Sequence, residues 1–206
     1  PLLPKTINEN SVLFVGMNPS FNDSDVLENE KPIHFYHNLD ESEKDIQYFE
    51  KIKDIARYCN NEKWSHLDML FIRETKQKSI EELCKNEMEF INKQINISFE
   101  IIERVRPKII IVINSFVSEF FGKMKLRHSK FEKIWLGRDL FFEQDKIRKR
   151  DSTFDPAIGT YRIDIAGVQT PIIFSSMLSG QRALDLGSLE RLKWQIKFII
   201  DNKSIS

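Results

Sequence analysis

The residues that point to chemistry stand where short apolar runs stop. Val12 to Val15 is a continuous apolar run that breaks at Gly16-Met17-Asn18-Pro19-Ser20. A run of that kind is the pattern of a strand buried on both faces. Gly permits a tight turn, Asn tolerates unusual backbone angles, and Pro fixes φ and ends a ladder. Polar groups released at the carboxyl edge of an open α/β sheet stand where such sheets bind ligands. Asp68 is the second signal, a carboxylate within the apolar run Trp64 to Ile72. A buried carboxylate needs partners or a neutralising proton. The third is Ser175-Ser176-Met177-Leu178-Ser179-Gly180-Gln181-Arg182, which ends another apolar run.

Histidine and cysteine chemistry is thinly supported. His34 and His37 have ligand-like spacing in the island His34-Phe35-Tyr36-His37, but no further His or Cys lies nearby, so a loop packing its aromatics is the expectation and no metal is assigned. His66, two residues before Asp68, is the one histidine placed for catalysis, and a hydrogen-bonded structural role is its alternative. Cys59 and Cys84 read as reduced thiols, too few for an iron–sulfur cluster. Gly16 lacks the spaced glycines of a dinucleotide fold or a P-loop, and no histidine follows a nucleophile turn. No cofactor is expected.

The elements that must position these residues alternate. Asp40 to Tyr58 is predicted as an amphipathic helix, with Ile46, Phe49, Ile52 and Ile55 on one face. Trp64 to Ile72 is predicted as a strand. Ser79 to Val105 reads as helical, interrupted near Asn96, with Ser79 and Glu82 in a capping-box pattern and Pro107 as the stop. Ile109 to Ile113 is five consecutive β-branched residues, a central strand covered on both faces. It ends at Asn114-Ser115 before an apolar helix, Phe116 to Phe121. Tyr161 to Phe174 reads as a hairpin turning at Ala166-Gly167, and Ser188 to Ile200 as an amphipathic helix. The pattern predicts one α/β domain over residues 1–206, a three-layer sandwich whose mostly parallel sheet of about four strands is flanked by helices.

Composition fits a globular chain: 206 residues, 41% hydrophobic and 30% charged, with 16 Phe. No run reaches the eighteen or so apolar residues of a membrane span, and no signal-peptide pattern opens the chain, so a cytoplasmic protein with no membrane partner is expected. Basic and acidic residues balance at 31 each, but not locally. Residues 22–50 carry nine acids against two lysines. Residues 122–150, the heart of an excursion over about 122–160, carry ten basic residues against four acids, interleaved with Phe131, Trp135, Phe141 and Phe142. Basic residues among aromatics suit phosphate contact and base stacking.

The three strand ends together resemble the uracil-DNA glycosylase superfamily. The specific match is Gly16-Met17-Asn18-Pro19-Ser20, placed directly after the first buried strand. It is most similar to the mismatch-specific and single-strand-selective branches, which carry Asn where the best-known branch has Asp. The order of elements fits from Val12 to Ile200. The resemblance implies a uracil-DNA glycosylase-like fold, DNA as partner, and hydrolysis of the N-glycosidic bond of a damaged or deaminated base, as in base excision repair. In that chemistry Asn18 holds the attacking water, and donors stabilise the departing base. Met17 shapes the loop and contacts the base. An aromatic residue after the loop stacks the extruded base, with Phe35 first and Phe21 and Tyr36 as rivals.

Two departures from the family's pattern carry weight. The base-reading Asn of the uracil-specific members corresponds to Asp68 here. An amide both donates and accepts, whereas an ionised carboxylate only accepts, so Asp68 favours a base offering donors unless it is protonated. The His-Pro-Ser-like loop corresponds to Ser176-Met177-Leu178-Ser179-Gly180, which has no His. By the resemblance, Ser179, Gly180, Gln181 and Arg182 grip DNA phosphate, Arg182 supplies the missing positive charge, and Leu178 or Met177 wedges into the stack. The missing His makes a nucleic-acid-binding member with weakened or lost cleavage the alternative. An unrelated α/β enzyme sharing only the turn is a third reading.

Overall fold

In the computed structural model the described residues are 2–4, 6–19, 34–36, 47–60, 62–121, 154–155, 160–180 and 182–203. The elements in chain order are β1 (Leu2–Pro4), β2 (Val12–Gly16), β3 (His34–Tyr36), α1 (Gln47–Tyr58), β4 (Trp64–Asp68), α2 (Gln77–Asn86), α3 (Met88–Val105), β5 (Ile109–Val112), α4 (Val117–Phe120), β6 (Phe154–Asp155), β7 (Thr160–Ile165), β8 (Val168–Phe174) and α5 (Leu186–Lys203). The main sheet has six strands in the order β4-β2-β5-β8-β7-β6. β4, β2, β5 and β8 are mutually parallel, and β7 and β6 extend the edge antiparallel. The four parallel strands are the core that the apolar runs announce.

Alternation along the strands divides the core into two layers. Leu13, Val15, Leu67, Ile110 and Val112 face one way, where Ile80 of α2, Ile91, Ile95, Phe99 and Ile102 of α3, and Val117 of α4 cover them. Val12, Phe14, Ile109, Ile111 and Ile173 face the other way, against Ile52 and Ile55 of α1 and Leu189, Leu192, Ile196 and Ile199 of α5. A sheet buried on both faces by helices is the three-layer α/β sandwich. A central strand covered on both faces has no polar face, which is why β5 is an unbroken Ile-Ile-Ile-Val run.

Strand ends and helix caps depart from the sequence expectations in informative ways. β4 stops at Asp68 rather than Ile72, because the chain then bonds to the loop after β2. The helical run breaks at Glu87, not Asn96, which stays helical in α3. Lys76, not Ser79, is the N-cap of α2, and the Ser79–Glu82 capping box does not form. Glu74 closes the turn just before the helix: its Oε1 accepts from Thr75 N and Lys76 N, both at 2.8 Å. At the far end of α3, Arg106 takes a left-handed conformation (φ 45°) and donates its N–H to Ile102 O, after which Pro107 prevents continuation. The β7–β8 turn at Ala166-Gly167 has positive φ at both residues, the hairpin turn that matches strand twist. α5 is capped by Asp185, whose carboxylate accepts from Ser188 N at 2.9 Å and Ser188 Oγ at 2.7 Å.

His34–Tyr36, expected in a loop, is strand β3, paired in parallel with β1 in a separate two-stranded sheet. The rest of the acidic stretch before α1, His37 included, and the basic residues 122–150 lie outside the described residues. Among the described residues no helix is long and apolar enough to cross a membrane, and no three His, Cys, Asp or Glu side chains group as a metal site.

Candidate functional site

The strand order makes the carboxyl edge between β2 and β5 the switch point of the sheet. β2 is the first core strand, β4 lies on one side of it and β5 on the other, so the following connections leave in opposite directions. Ligand crevices of open α/β sheets form at such points. Register puts the ends level: Gly16 pairs with Asp68, Val15 with Val112, and Val112 with Phe174. With strands about 4.8 Å apart, the loop after β2 and the loop after β8 start roughly 10 Å from one another. Thus Asn18, Asp68 and Ser179 all belong to one edge of the sheet.

The loop after β2 is held by its neighbour. Met69 N donates to Gly16 O at 3.1 Å, Leu70 N to Met17 O at 2.9 Å, and Glu74 N to Pro19 O at 3.1 Å. Asn18 reinforces this from its side chain. Its Nδ2 donates to Pro19 O at 3.0 Å, Ile72 O at 3.2 Å and Glu74 O at 2.6 Å. Three carbonyl oxygens around one atom identify that atom as the nitrogen, since Oδ1 there would meet only repulsion. The amide is therefore turned one way, with Oδ1 left as its acceptor. Gly16 takes part in the β2–β4 ladder and has no positive φ, so no glycine freedom is used there. Met17 is half-buried and packs on the core beneath the loop.

Segment 69–74 is in turn pinned to α3. Gln94 Oε1 accepts from Phe71 N at 2.7 Å, and Ser98 Oγ donates to Met69 O at 2.9 Å. Both side chains are buried. Sequence reading passed over Gln94 and Ser98, although two polar residues inside the apolar stripe Ile91, Ile95, Phe99 were a visible anomaly. Glu74 ends the segment by closing the turn before α2. Its carboxylate is held below its usual range by the N–H groups of Lys76 and Thr75, with the Ser79 hydroxyl adding to them.

Asp68 is 8% exposed and sits on the α1 side of the sheet, as does His66 two residues earlier. His66 Nε2 lies 3.8 Å from Asp68 Oδ1, and the His66 and Phe49 rings form a T-shaped pair with centroids 5.4 Å apart. Burial acts oppositely on the two groups. It pushes the Asp68 carboxyl up to about 7 and the His66 imidazole down to about 3. In both cases burial favours the neutral form. Cys59 and Cys84 are likewise pushed up, to about 11, by burial, and stay protonated thiols without nucleophilic character.

The loop after β8 is closed and anchored. Ser175 N donates to Val112 O at 2.8 Å, Leu184 N to Met177 O at 2.9 Å, and Ala183 N to Gly180 O at 3.1 Å. Leu178 is buried in the α1/α5 layer, so it is a core anchor and not the exposed wedge that its sequence position suggests. Met177, 37% exposed, is the apolar side chain this loop presents to solvent. Gly180 has φ +86°, a conformation that disfavours any side chain. Ser179 is half-buried and Arg182 exposed at the tip. Gln181, and the side chains of Phe35, Phe21 and Tyr36, lie outside the described residues.

Asn114, at the end of β5, completes the edge. Its Oδ1 accepts from Phe116 N at 2.8 Å and Val117 N at 3.3 Å, capping α4.

A groove of about 560 Å³ lies at the opposite, amino edge, lined by Asn8, Lys53, Ala56, Arg57, Glu62, Lys63 and Trp64. Three of its charges, Lys53, Glu62 and Arg57, have a structural account. Lys53 pairs with Glu50 at 3.0 Å and Glu62 with Lys108 at 2.7 Å, and Arg57 stands in the last turn of α1, where a cation complements the helix dipole.

The sequence matches no family model and no curated protein. The site therefore rests on its own geometry.

Proposed function

We propose that this chain is a DNA glycosylase that hydrolyses the N-glycosidic bond of a damaged or deaminated base. The observation that carries the reading is the orientation of Asn18 at the switch point. With Nδ2 committed to Pro19 O, Ile72 O and Glu74 O, the amide offers Oδ1 as an acceptor held in place. An acceptor of that kind orients a water without removing its proton outright. N-glycosidic cleavage suits a weakly activated water, because the sugar develops positive charge as the base departs. The base is extruded toward Asp68, which borders the Gly16 to Pro19 loop through the β2–β4 register. The Ser179 to Arg182 loop, braced by Leu178, grips the strand's phosphates, and the basic residues 122–150 add non-specific affinity.

Release of free base from oligonucleotides containing uracil, hypoxanthine, xanthine or hydroxymethyluracil tests this at stoichiometric enzyme. Release from at least one, lost in Asn18→Ala, supports the reading. No release from any of them overturns it.

Two observations favour a binding protein without cleavage. The closed loop Met177 to Leu184 contains no histidine to stabilise the base anion, and Asn18 already has a structural task. Salt-sensitive oligonucleotide binding without base release is the outcome that selects this second reading.

A further inference from the structure

The groove at the amino edge holds a cation that the fold itself does not use. Lys53, Ala56 and Arg57 stand three and four positions apart on α1, so they share one face of that helix and line the groove together. Ala56 contributes only a methyl group between the two long cations, which leaves room there. The facing wall is Glu62-Lys63-Trp64, where the chain enters β4. That wall is fastened to its surroundings. Val12 N donates to Lys63 O at 2.9 Å, Asn8 Nδ2 to Trp64 O at 3.0 Å and Asn8 N to Ser65 Oγ at 2.8 Å. Trp64 is half-buried, and its ring stacks on Phe49 with centroids 6.5 Å apart. The space is therefore preformed, as small-ligand sites usually are.

Its charge does not balance. Glu50 divides its carboxylate between the α1 cations, Oε1 to Lys53 at 3.0 Å and Oε2 to Arg57 at 3.6 Å. Glu62 is taken by Lys108 at 2.7 Å. The Lys63 ammonium has no partner among the described residues. Four cations, Lys53, Arg57, Lys63 and Lys108, thus meet two carboxylates, Glu50 and Glu62. A cleft with an excess of one sign concentrates its field on a ligand of the other.

We propose that this groove binds a nucleoside monophosphate, at a site separate from the carboxyl edge. The phosphate lies against Lys63 and Arg57, whose guanidinium offers a planar fork of donors to phosphate oxygens. The flat base lies on the apolar surface of Ala56 and Trp64. The volume of about 560 Å³ falls within the range of small-ligand pockets, about 300–1,000 Å³. Trp64 and Asp68 are the two ends of β4, about 13 Å apart by strand rise, so a ligand in the groove leaves the loop after β2 uncovered.

Amide NMR of the full chain at low salt decides it, with AMP, adenosine, ribose phosphate and inorganic phosphate as probes to millimolar concentration. AMP is expected to shift the amides of Lys53 to Tyr58 and of Glu62 to Ser65, to leave those of Met17 and Ser179 in place, and to bind about tenfold more tightly than any of the other three. Lys63→Glu and Arg57→Ala, both at exposed positions where the fold is expected to be kept, are each expected to weaken AMP binding about tenfold. No AMP-dependent shift overturns the proposal, and so do shifts centred on Met17 and Ser179. Equal affinity for AMP and inorganic phosphate overturns the nucleotide as ligand. A single-stranded oligonucleotide that shifts the groove amides more tightly than AMP gives the groove to nucleic acid and overturns it as well. None of these readouts depends on base release.

Discussion

Asn18 Nδ2 donates to the backbone carbonyl of Glu74 across 2.6 Å, joining the loop after β2 to the start of α2. The same nitrogen reaches Ile72 O and Pro19 O, so one side chain fastens two loops that are 54 and 56 residues apart in the chain. The carbonyls that hold the amide also exclude a carboxylate.

Asn18→Ala and Asn18→Asp are therefore expected to fail differently. Alanine removes the donor and leaves part-buried carbonyls without it, a loss of about 1–2 kcal/mol in urea unfolding. Aspartate keeps the shape but turns an oxygen toward three carbonyl oxygens, so at pH 7 it is expected to be at least as unstable as alanine. Its carboxyl pKa is raised in the folded state, and the folded state then binds the extra proton. Stability of Asn18→Asp is expected to recover as pH falls toward 5, whereas Asn18→Ala shows no such recovery.

The His66–Asp68 pair predicts two opposing pH slopes. Asp68, raised to about 7, makes the folded state the stronger proton binder between roughly pH 4 and 7, so its contribution declines as pH rises through that window. His66, lowered to about 3, makes the unfolded state the stronger binder between roughly pH 3 and 6.5, so its contribution grows with pH. The two largely cancel from pH 4 to 6.5. His66→Gln is expected to leave a stability that falls with pH there, and Asp68→Asn one that rises. Urea titrations at half-unit pH steps read both slopes; a flat profile in both variants contradicts the neutral pair.

Gln94 holds the segment that holds Asn18. Gln94→Leu leaves Phe71 N without its acceptor inside the protein, at a cost of about 1–3 kcal/mol. The Phe71 amide is expected to lose hydrogen-exchange protection more than the Ile110 amide in β5. Equal loss at both would show global destabilisation rather than release of the segment.

Leu178 and Arg182 separate scaffold from contact within one loop. Leu178→Ala opens a cavity in the α1/α5 layer and is expected to cost about 2–5 kcal/mol. Arg182→Ala, at an exposed site, is expected to change stability by less than about 0.5 kcal/mol. If Arg182 contacts phosphate, its removal lowers the salt dependence of oligonucleotide binding by a slope of about one. An unchanged slope removes Arg182 from the interface.

Local chemistry in the sequence was enough for the sandwich and for the edge on which the polar residues stand. The β-branched run Ile109 to Val112 can be satisfied only by a strand covered on both sides, and the helices between strands supply that cover. The apolar run Val12 to Val15 and its break at Gly16 likewise placed Asn18 at a strand end. What the linear pattern could not carry was which polar groups answer one another. Asn18 meets carbonyls of Ile72 and Glu74 because β4 pairs in parallel register with β2, a long-range relation with no local signature. Lys76 rather than Ser79 is the N-cap of α2, after a turn closed by Glu74, because that pairing ends β4 at Asp68 and leaves the next residues free to turn. Leu178 lies in the core because the loop closes on itself at Met177 and Leu184, although its neighbours suggest an exposed tip. Asp68 was visible as an anomaly in the sequence, but the upward push on its carboxyl was not, because that is decided by the solvent and partners that the packed structure takes away.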